Sequence, residues 1–226
     1  MEHRSTQWTV LWFFFLSLCS CSTTSFVYDH PQASTSSSTN LKIAILTQKD
    51  ERHPNEETDK IWSNNPLDET AKIIEQEIKS CGLFQEVVLA SKPDEEKAIM
   101  ERSDMRMLLR PTLRDLSWDI PNRQAQEKTA LVVSILTGGI GGLIYGSGST
   151  DLYGNAKLGV TLEDRETSKI ILEKEYASRA EDTMARLKTD SYEERARIIG
   201  KAFKQIMEQF KADLHTVVRT VLETKR

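Results

Sequence analysis

The chain has 226 residues and a formal net charge of −4, with 30 basic and 34 acidic residues interspersed along it. This mild, mixed charge lacks the basic patch that nucleic-acid binding needs, so we predict no nucleic-acid partner. Only one of the three cysteines, Cys81, lies beyond the first 21 residues, which excludes a disulfide framework.

The amino terminus has the pattern of an export signal. An apolar run from Trp8 to Leu18 is shorter than the about 20 residues of a membrane-spanning helix but fits the apolar region of a secretory signal. It ends in Leu18-Cys19-Ser20-Cys21, which resembles the bacterial lipoprotein cleavage box. We therefore predict a lipoprotein signal peptide over residues 1–20 and lipidation of Cys21. The alternative is an ordinary signal peptide with an incidental cysteine.

The resemblance to lipoproteins also implies a location. In that class an aspartate after the modified cysteine retains the protein in the inner membrane, and here the residue is Ser22. This implies a lipid anchor in the outer membrane, on its periplasmic face.

Residues 21–40 are predicted to be the lipidated cysteine and a flexible tether. Ten of the eighteen residues from Ser22 to Thr39 are serine or threonine, so the segment lacks the apolar content to fold. As a coil it would span about 25 Å, and fully extended about 60 Å. We therefore expect the folded part to stand off the membrane.

Residues 41–226 are predicted to form one periplasmic α/β domain. Apolar patterning predicts, in chain order, a buried strand at 41–47, a helix at 67–81, a strand at 83–90, a short helix at 92–103 and a strand at 104–116. Pro111 in the third of these strands favours an edge position or a β-bulge.

The last third of the chain combines a hairpin with a long helix. Alternating residues from Leu158, resuming at Ile170, predict a β-hairpin with one solvent-facing side. An apolar stripe predicts a helix from Ser191 to Leu222, about 48 Å long, which is more than twice the about 20 Å of a six-residue strand. We expect half of this helix to overhang the sheet, either packing on loops or forming an interaction surface. The candidate interaction residues there are Phe210, Leu214, Val217 and Val221.

These elements define the predicted fold class. It is α/β (α+β), with a mixed sheet of about five strands, two short helices and one long C-terminal helix.

An uncharged, glycine-rich insert at 129–150 precedes the hairpin. It lacks the lysine of a phosphate loop and the spacing of a dinucleotide fingerprint, which argues against a nucleotide site. On a helix, Ser134, Gly138, Gly142 and Gly146 would form a smooth stripe that admits close packing, and they are candidate interaction residues. The alternatives are a simple link into the hairpin and insertion into the membrane.

The sequence offers few residues for catalysis. It has no zinc, calcium or nucleophile-elbow motif. His215 has no ligand at metal spacing, and His53 with Asp50, Glu51 and Glu56 could hold only a weak, adventitious metal. We predict no metal, no cofactor and no enzymatic activity. Ser147 and Ser149, which flank Gly148, leave a serine hydrolase as an alternative. Trp62 and Trp118 lie beside turn residues, as either half-buried lids or interface anchors.

The element order resembles the α/β domain of several envelope lipoproteins. They are the curli-secretion lipoproteins, the lipoprotein activators of penicillin-binding proteins and the amino-terminal domain of the Tol-system propeller protein. The stretches that carry the resemblance are 18–21 (LCSC), 41–46 (LKIAIL), 81–88 (CGLFQEVV), 105–109 and the hairpin at 157–176. The resemblance implies a non-catalytic, lipid-anchored binding or adaptor protein with envelope proteins as partners. An oligomeric secretion-channel or pore subunit, and so a homo-oligomer, is the alternative.

Overall fold

A computed structural model describes residues 26–32, 37–53, 62, 65–121 and 148–223. Cys21 and the signal peptide lie outside these residues, as do Ser134, Gly138, Gly142 and Gly146 of the insert. The predictions that concern them stay predictions.

The described part of the chain forms a mixed sheet with helices on both faces. Its elements are β1 (Lys42–Ile45), β2 (Lys49–Asp50), α1 (Pro66–Ser80), β3 (Glu86–Leu89), α2 (Pro93–Glu101), β4 (Met107–Asp119), β5 (Ser149–Asp164), β6 (Lys169–Ala185) and α3 (Tyr192–Glu223). The strand order is β3-β1-β4-β5-β6, with the short β2 beside β4. β1 runs parallel to β3 and β4, whereas β5 is antiparallel to β4 and β6. The predicted fold class is confirmed.

The first strand is buried because helices cover both of its faces. Ile43 and Ile45 pack with the apolar stripe of α1, and Ala44 packs on the other face in a cluster that includes Ile99 of α2. The Asn65 side chain caps the start of α1 by accepting the Leu67 N–H at 3.1 Å.

Pro111 lies in the middle of the sheet, so its predicted edge position is wrong. β1 pairs with β4 only as far as Leu109, and β2 begins its pairing at Thr112. Pro111 therefore lies between the end of the β1 pairing and the start of the β2 pairing, where no neighbouring strand needs an N–H donor from β4. The alternative of a nearby bulge is confirmed, since the register with β5 shifts between Leu113 and Asp115.

The hairpin is much longer than its sequence pattern indicates. Its pairing runs from Ser149 opposite Ala185 to Asp164 opposite Lys169, nine residues before the predicted start at Leu158. The 16 residues of β5 extend about 53 Å, close to the about 48 Å of the 32-residue α3. The expectation that half of the helix overhangs a short sheet is therefore wrong.

The predicted interaction residues on α3 face the core of their own domain. Phe210 and Leu214 are fully buried, and Val217 and Val221 are partly buried against the same cluster. They are covered because the helix has the long hairpin beneath it. The prediction that Phe210 and Leu214 form an interaction surface is therefore wrong.

Candidate functional site

Residues 26–32 lie on the folded domain, unlike the flexible tether predicted for this stretch. We call them the N-terminal strap. The Phe26 ring stacks on Trp62 with centroids 5.0 Å apart and meets the Phe203 ring edge-on at 5.9 Å. Phe26 and Tyr28 are each only 9% exposed. Their burial against α1 and α3 makes the strap part of the core.

Polar contacts fix the strap at several points. The Phe26 N–H donates to the Glu69 carboxylate at 3.1 Å, and the Tyr28 hydroxyl donates to Glu77 at 2.5 Å. Glu77 is 2% exposed and also pairs with Lys211 of α3 at 2.5 Å. This one carboxylate therefore joins the strap, α1 and α3. Burial raises the pKa of Tyr28 well above its ordinary value, and the hydrogen bond to Glu77 raises it further, so Tyr28 remains the donor.

A glycine lets the strap approach α3 closely. A Cβ atom at Gly200 would lie 2.2 Å from the carbonyl oxygen of Val27, far inside normal contact distance. Glycine in a helix interior costs about 1 kcal/mol relative to alanine. Close contact with the strap is the compensation visible at Gly200.

The two ends of the elongated domain are formed by different segments of the chain. The β4–β5 end consists of residues 119–121, 148–151 and 186–192. The chain leaves β4 and re-enters β5 here, and the Arg186 N–H donates to the Gly148 carbonyl at 2.9 Å. α3 starts at this end and runs in the same direction as β5. Ile198, near the start of α3, covers Gly154. Asp213, further along the helix, accepts a hydrogen bond from Tyr176, which lies opposite Leu158 of β5.

The hairpin-turn end consists of residues 37–41, 81–85, 165–168 and 215–223. It contains a crevice of about 650 Å³ between the last turns of α3, the end of α1 and residues 37–39. Cys81, His215 and Arg219 are among its lining residues. Burial raises the pKa of the Cys81 thiol to about 11, so little of the nucleophilic thiolate exists near neutral pH.

The outer face of β4, β5 and β6 is polar, as the alternation predicts. Its side chains pair with each other across the strands. The Tyr153 hydroxyl donates to Glu181 at 3.0 Å, and the Arg179 guanidinium lies 4.0 Å from the centroid of the Tyr153 ring. Arg114 pairs with Glu175 further along the same face. These contacts are typical of a solvated sheet surface.

The two tryptophans singled out in the sequence are lids on the core. Trp62 is 6% exposed beneath Phe26, and Trp118 is partly buried with the Arg195 guanidinium 3.7 Å from its ring centroid. The interface-anchor alternative is therefore wrong for Trp62.

Ser149 and His215, a conceivable nucleophile and base, are far apart. Ser149 begins β5 at the β4–β5 end, opposite Ala185, whereas His215 lines the crevice at the hairpin-turn end. Ser147 lies outside the described residues. Among the residues that the structure describes, no group of three or more His, Cys, Asp or Glu side chains is placed to hold a metal ion.

None of the helices in the described part of the chain combines the length and the apolar character needed to cross a bilayer.

No protein-family model and no curated protein sequence matches the chain. Solved structures do share its fold. A DUF330-family protein from Xanthomonas campestris aligns with a TM-score of 0.51 at 7% identity, over 89% of this chain and 98% of its own. A neuraminyllactose-binding hemagglutinin homologue from Helicobacter pylori aligns with a TM-score of 0.51 at 10% identity, over 88% of this chain and all of its own. A hypothetical protein from Chlamydia trachomatis aligns less closely, with a TM-score of 0.48 at 8% identity over 80% of this chain and 98% of its own. At such low identities the first two likenesses establish the fold alone.

Proposed function

We propose that this protein is a lipid-anchored, non-catalytic binding protein of the bacterial cell envelope. Cys21 holds it at the periplasmic face of the outer membrane, and its α/β domain acts as an adaptor for other envelope proteins. The observation that carries the proposal is the placement of a lipoprotein cleavage box only five residues before a strap that is packed into the domain.

The chemistry of the described residues supports a binding role. The Cys81 thiol is held protonated, and Ser149 and His215 lie at opposite ends of the domain. Many charged groups are engaged in ion pairs with each other, including Lys174 with Asp213 at 2.7 Å and Arg197 with Asp182 at 2.8 Å. Exposed pairs of this kind contribute at most about 1 kcal/mol each and are common on solvated surfaces.

Metabolic labelling with an alkyne-bearing fatty acid tests the anchor. We expect Cys21→Ser to abolish labelling and release the protein from the membrane fraction. The matched variant Cys19→Ser, two residues away, should keep both the label and the membrane association. Labelling that survives Cys21→Ser, or that is lost only in Cys19→Ser, contradicts the proposed anchor.

A second arm tests binding against catalysis. A photo-crosslinking residue at Arg219, in the crevice, should give a discrete cross-linked product that depends on Cys21. A serine-reactive probe should label wild type and Ser149→Ala equally weakly. Strong labelling that disappears in Ser149→Ala would instead support the hydrolase alternative.

One feature favours self-association as a second candidate function. β6 has 17 residues and, among the described strands, pairs only with β5. A long edge strand is a template for pairing with another chain, as an oligomeric channel or pore subunit would require. The mass of the purified protein in detergent distinguishes the two, because the channel subunit would form a stable multimer and the adaptor a monomer.

A further inference from the structure

The chain between the proposed lipid and the folded domain is short. Only Ser22–Ser25 separate Cys21 from Phe26, where the strap begins. Even fully extended, the distance from Cys21 to Phe26 is at most about 18 Å. The eighteen-residue tether expected from composition would have reached about 60 Å. The strap therefore removes most of the freedom that the serine- and threonine-rich sequence indicates.

The direction of the strap determines where the lipid can emerge. Val27 lies against Gly200, and Asp29 pairs with Lys204 at 3.3 Å, so the strap runs in the same direction as α3. Its amino-terminal side consequently faces the start of that helix. From Gly200 back to Tyr192 is eight residues, about 12 Å of helix. With at most about 18 Å of chain, Cys21 can thus reach the β4–β5 end. The hairpin-turn end is out of its reach, because along α3 Gly200 lies about 22 Å from His215 and about 35 Å from Glu223.

We infer that the anchored protein sits with its β4–β5 end against the membrane surface and its hairpin-turn end pointing away. This orientation rests on the proposed lipidation of Cys21. The partner of the β4–β5 end is the headgroup layer of the bilayer that holds the lipid. Tyr192, 40% exposed at this end, is an amphipathic side chain of the kind that the interface favours.

In this orientation the two ends of the domain face different surroundings. The crevice with His215 and Arg219 faces away from the bilayer, where proteins of the envelope can reach it. The long polar outer face of β5 and β6 stands roughly along the membrane normal.

Quenching by nitroxide-headgroup lipids tests the orientation. The full lipidated protein, carrying Cys81→Ser to remove the remaining thiol, is reconstituted into vesicles of phosphatidylethanolamine and phosphatidylglycerol. A fluorophore is attached at Glu193→Cys or Glu223→Cys, two exposed glutamates near opposite ends of α3 and about 45 Å apart. We expect several-fold stronger quenching at position 193 than at 223. Equal quenching, or stronger quenching at 223, overturns the orientation.

Matched insertions test the role of the strap. Ten glycine and serine residues inserted after Ser25 should lower the quenching at position 193 towards the level at 223. The same insertion after Ala33, beyond the strap, should leave it unchanged. An equal effect of the two insertions overturns the inference.

Co-sedimentation of the protein with the vesicles separates the two proposals. Protein that fails to co-sediment contradicts the lipid anchor, and the orientation falls with it. Protein that co-sediments but shows equal quenching at both positions contradicts the orientation alone.

Discussion

Gly154→Ala is expected to lower the free energy of unfolding by about 3 kcal/mol, the upper part of the usual range for overpacking a core. A Cβ atom at this position would lie 2.5 Å from the carbonyl carbon and oxygen of Ile198 and 2.6 Å from the nitrogen of Ile199. All three are backbone atoms of α3. A flexible side chain could move aside, but here the whole helix would have to shift off β5.

Gly159→Ala is the matched control on the same strand. Its Cβ would meet only the Thr112 side chain at 3.5 Å and the Arg114 side chain at 3.6 Å, which are ordinary contacts. We expect a change within about 0.5 kcal/mol, as for other surface substitutions. Urea denaturation of the two variants beside wild type measures the difference. Similar unfolding free energies for both would show that α3 does not lie on β5 as closely as described.

Glu77→Ala is expected to destabilise the protein by about 3–5 kcal/mol, the typical effect of removing one partner of a buried ion pair. The substitution leaves Lys211 without its carboxylate and the buried Tyr28 hydroxyl without its acceptor. Because Tyr28 belongs to the strap, the strap should also loosen, and proteolysis after residue 26 should accelerate.

Glu75→Ala, two residues earlier on α1, is the control for this loss. Among the contacts described, Glu75 pairs only with Lys79, one turn further along α1, at 2.7 Å, and its side chain is 21% exposed. Such i,i+4 pairs contribute about 0.3–0.5 kcal/mol. Glu77→Gln keeps an acceptor for Tyr28 and should fall between the two. A loss at Glu77→Ala no larger than at Glu75→Ala would mean that the carboxylate does not join the strap to the helices.

The regular part of the fold follows from local patterns. Helical spacing predicts α1 and α3 to within a residue or two of their ends, and short isoleucine- and valine-rich runs predict β1 and β3. These patterns suffice because α1 and α3 each bury one apolar stripe against the core, and β1 is buried on both of its faces.

The first half of β5 could not be predicted from the same kind of pattern. Gly154 and Asn155 are typical of turns, and they follow an uncharged glycine-rich insert, so the stretch resembles a link. In the structure Gly154 lies inside β5, and the position is a glycine because α3 approaches too closely there for any side chain. A glycine inside an element interior is itself a signal of close backbone approach, and Gly200 is a second example.

The packing of the strap could not be predicted from the sequence for a different reason. Serine and threonine dominate residues 22–39, and that composition is typical of unfolded segments. Phe26 and Tyr28 are the only aromatic residues in it, and their partners Glu69, Glu77 and Phe203 lie more than forty residues away. Local periodicity carries no information about such distant contacts.

Truncation from the amino terminus tests most directly whether the strap belongs to the folded domain. The unfolding free energy in urea is compared for chains without lipid that start at Ser22, Phe26 and Ser37. We expect the first two to be equal, and the third to be less stable by about 3–6 kcal/mol because it loses two buried aromatic side chains. Equal stability of all three chains would contradict the packed strap, and a free tether would then be the better description of residues 26–32.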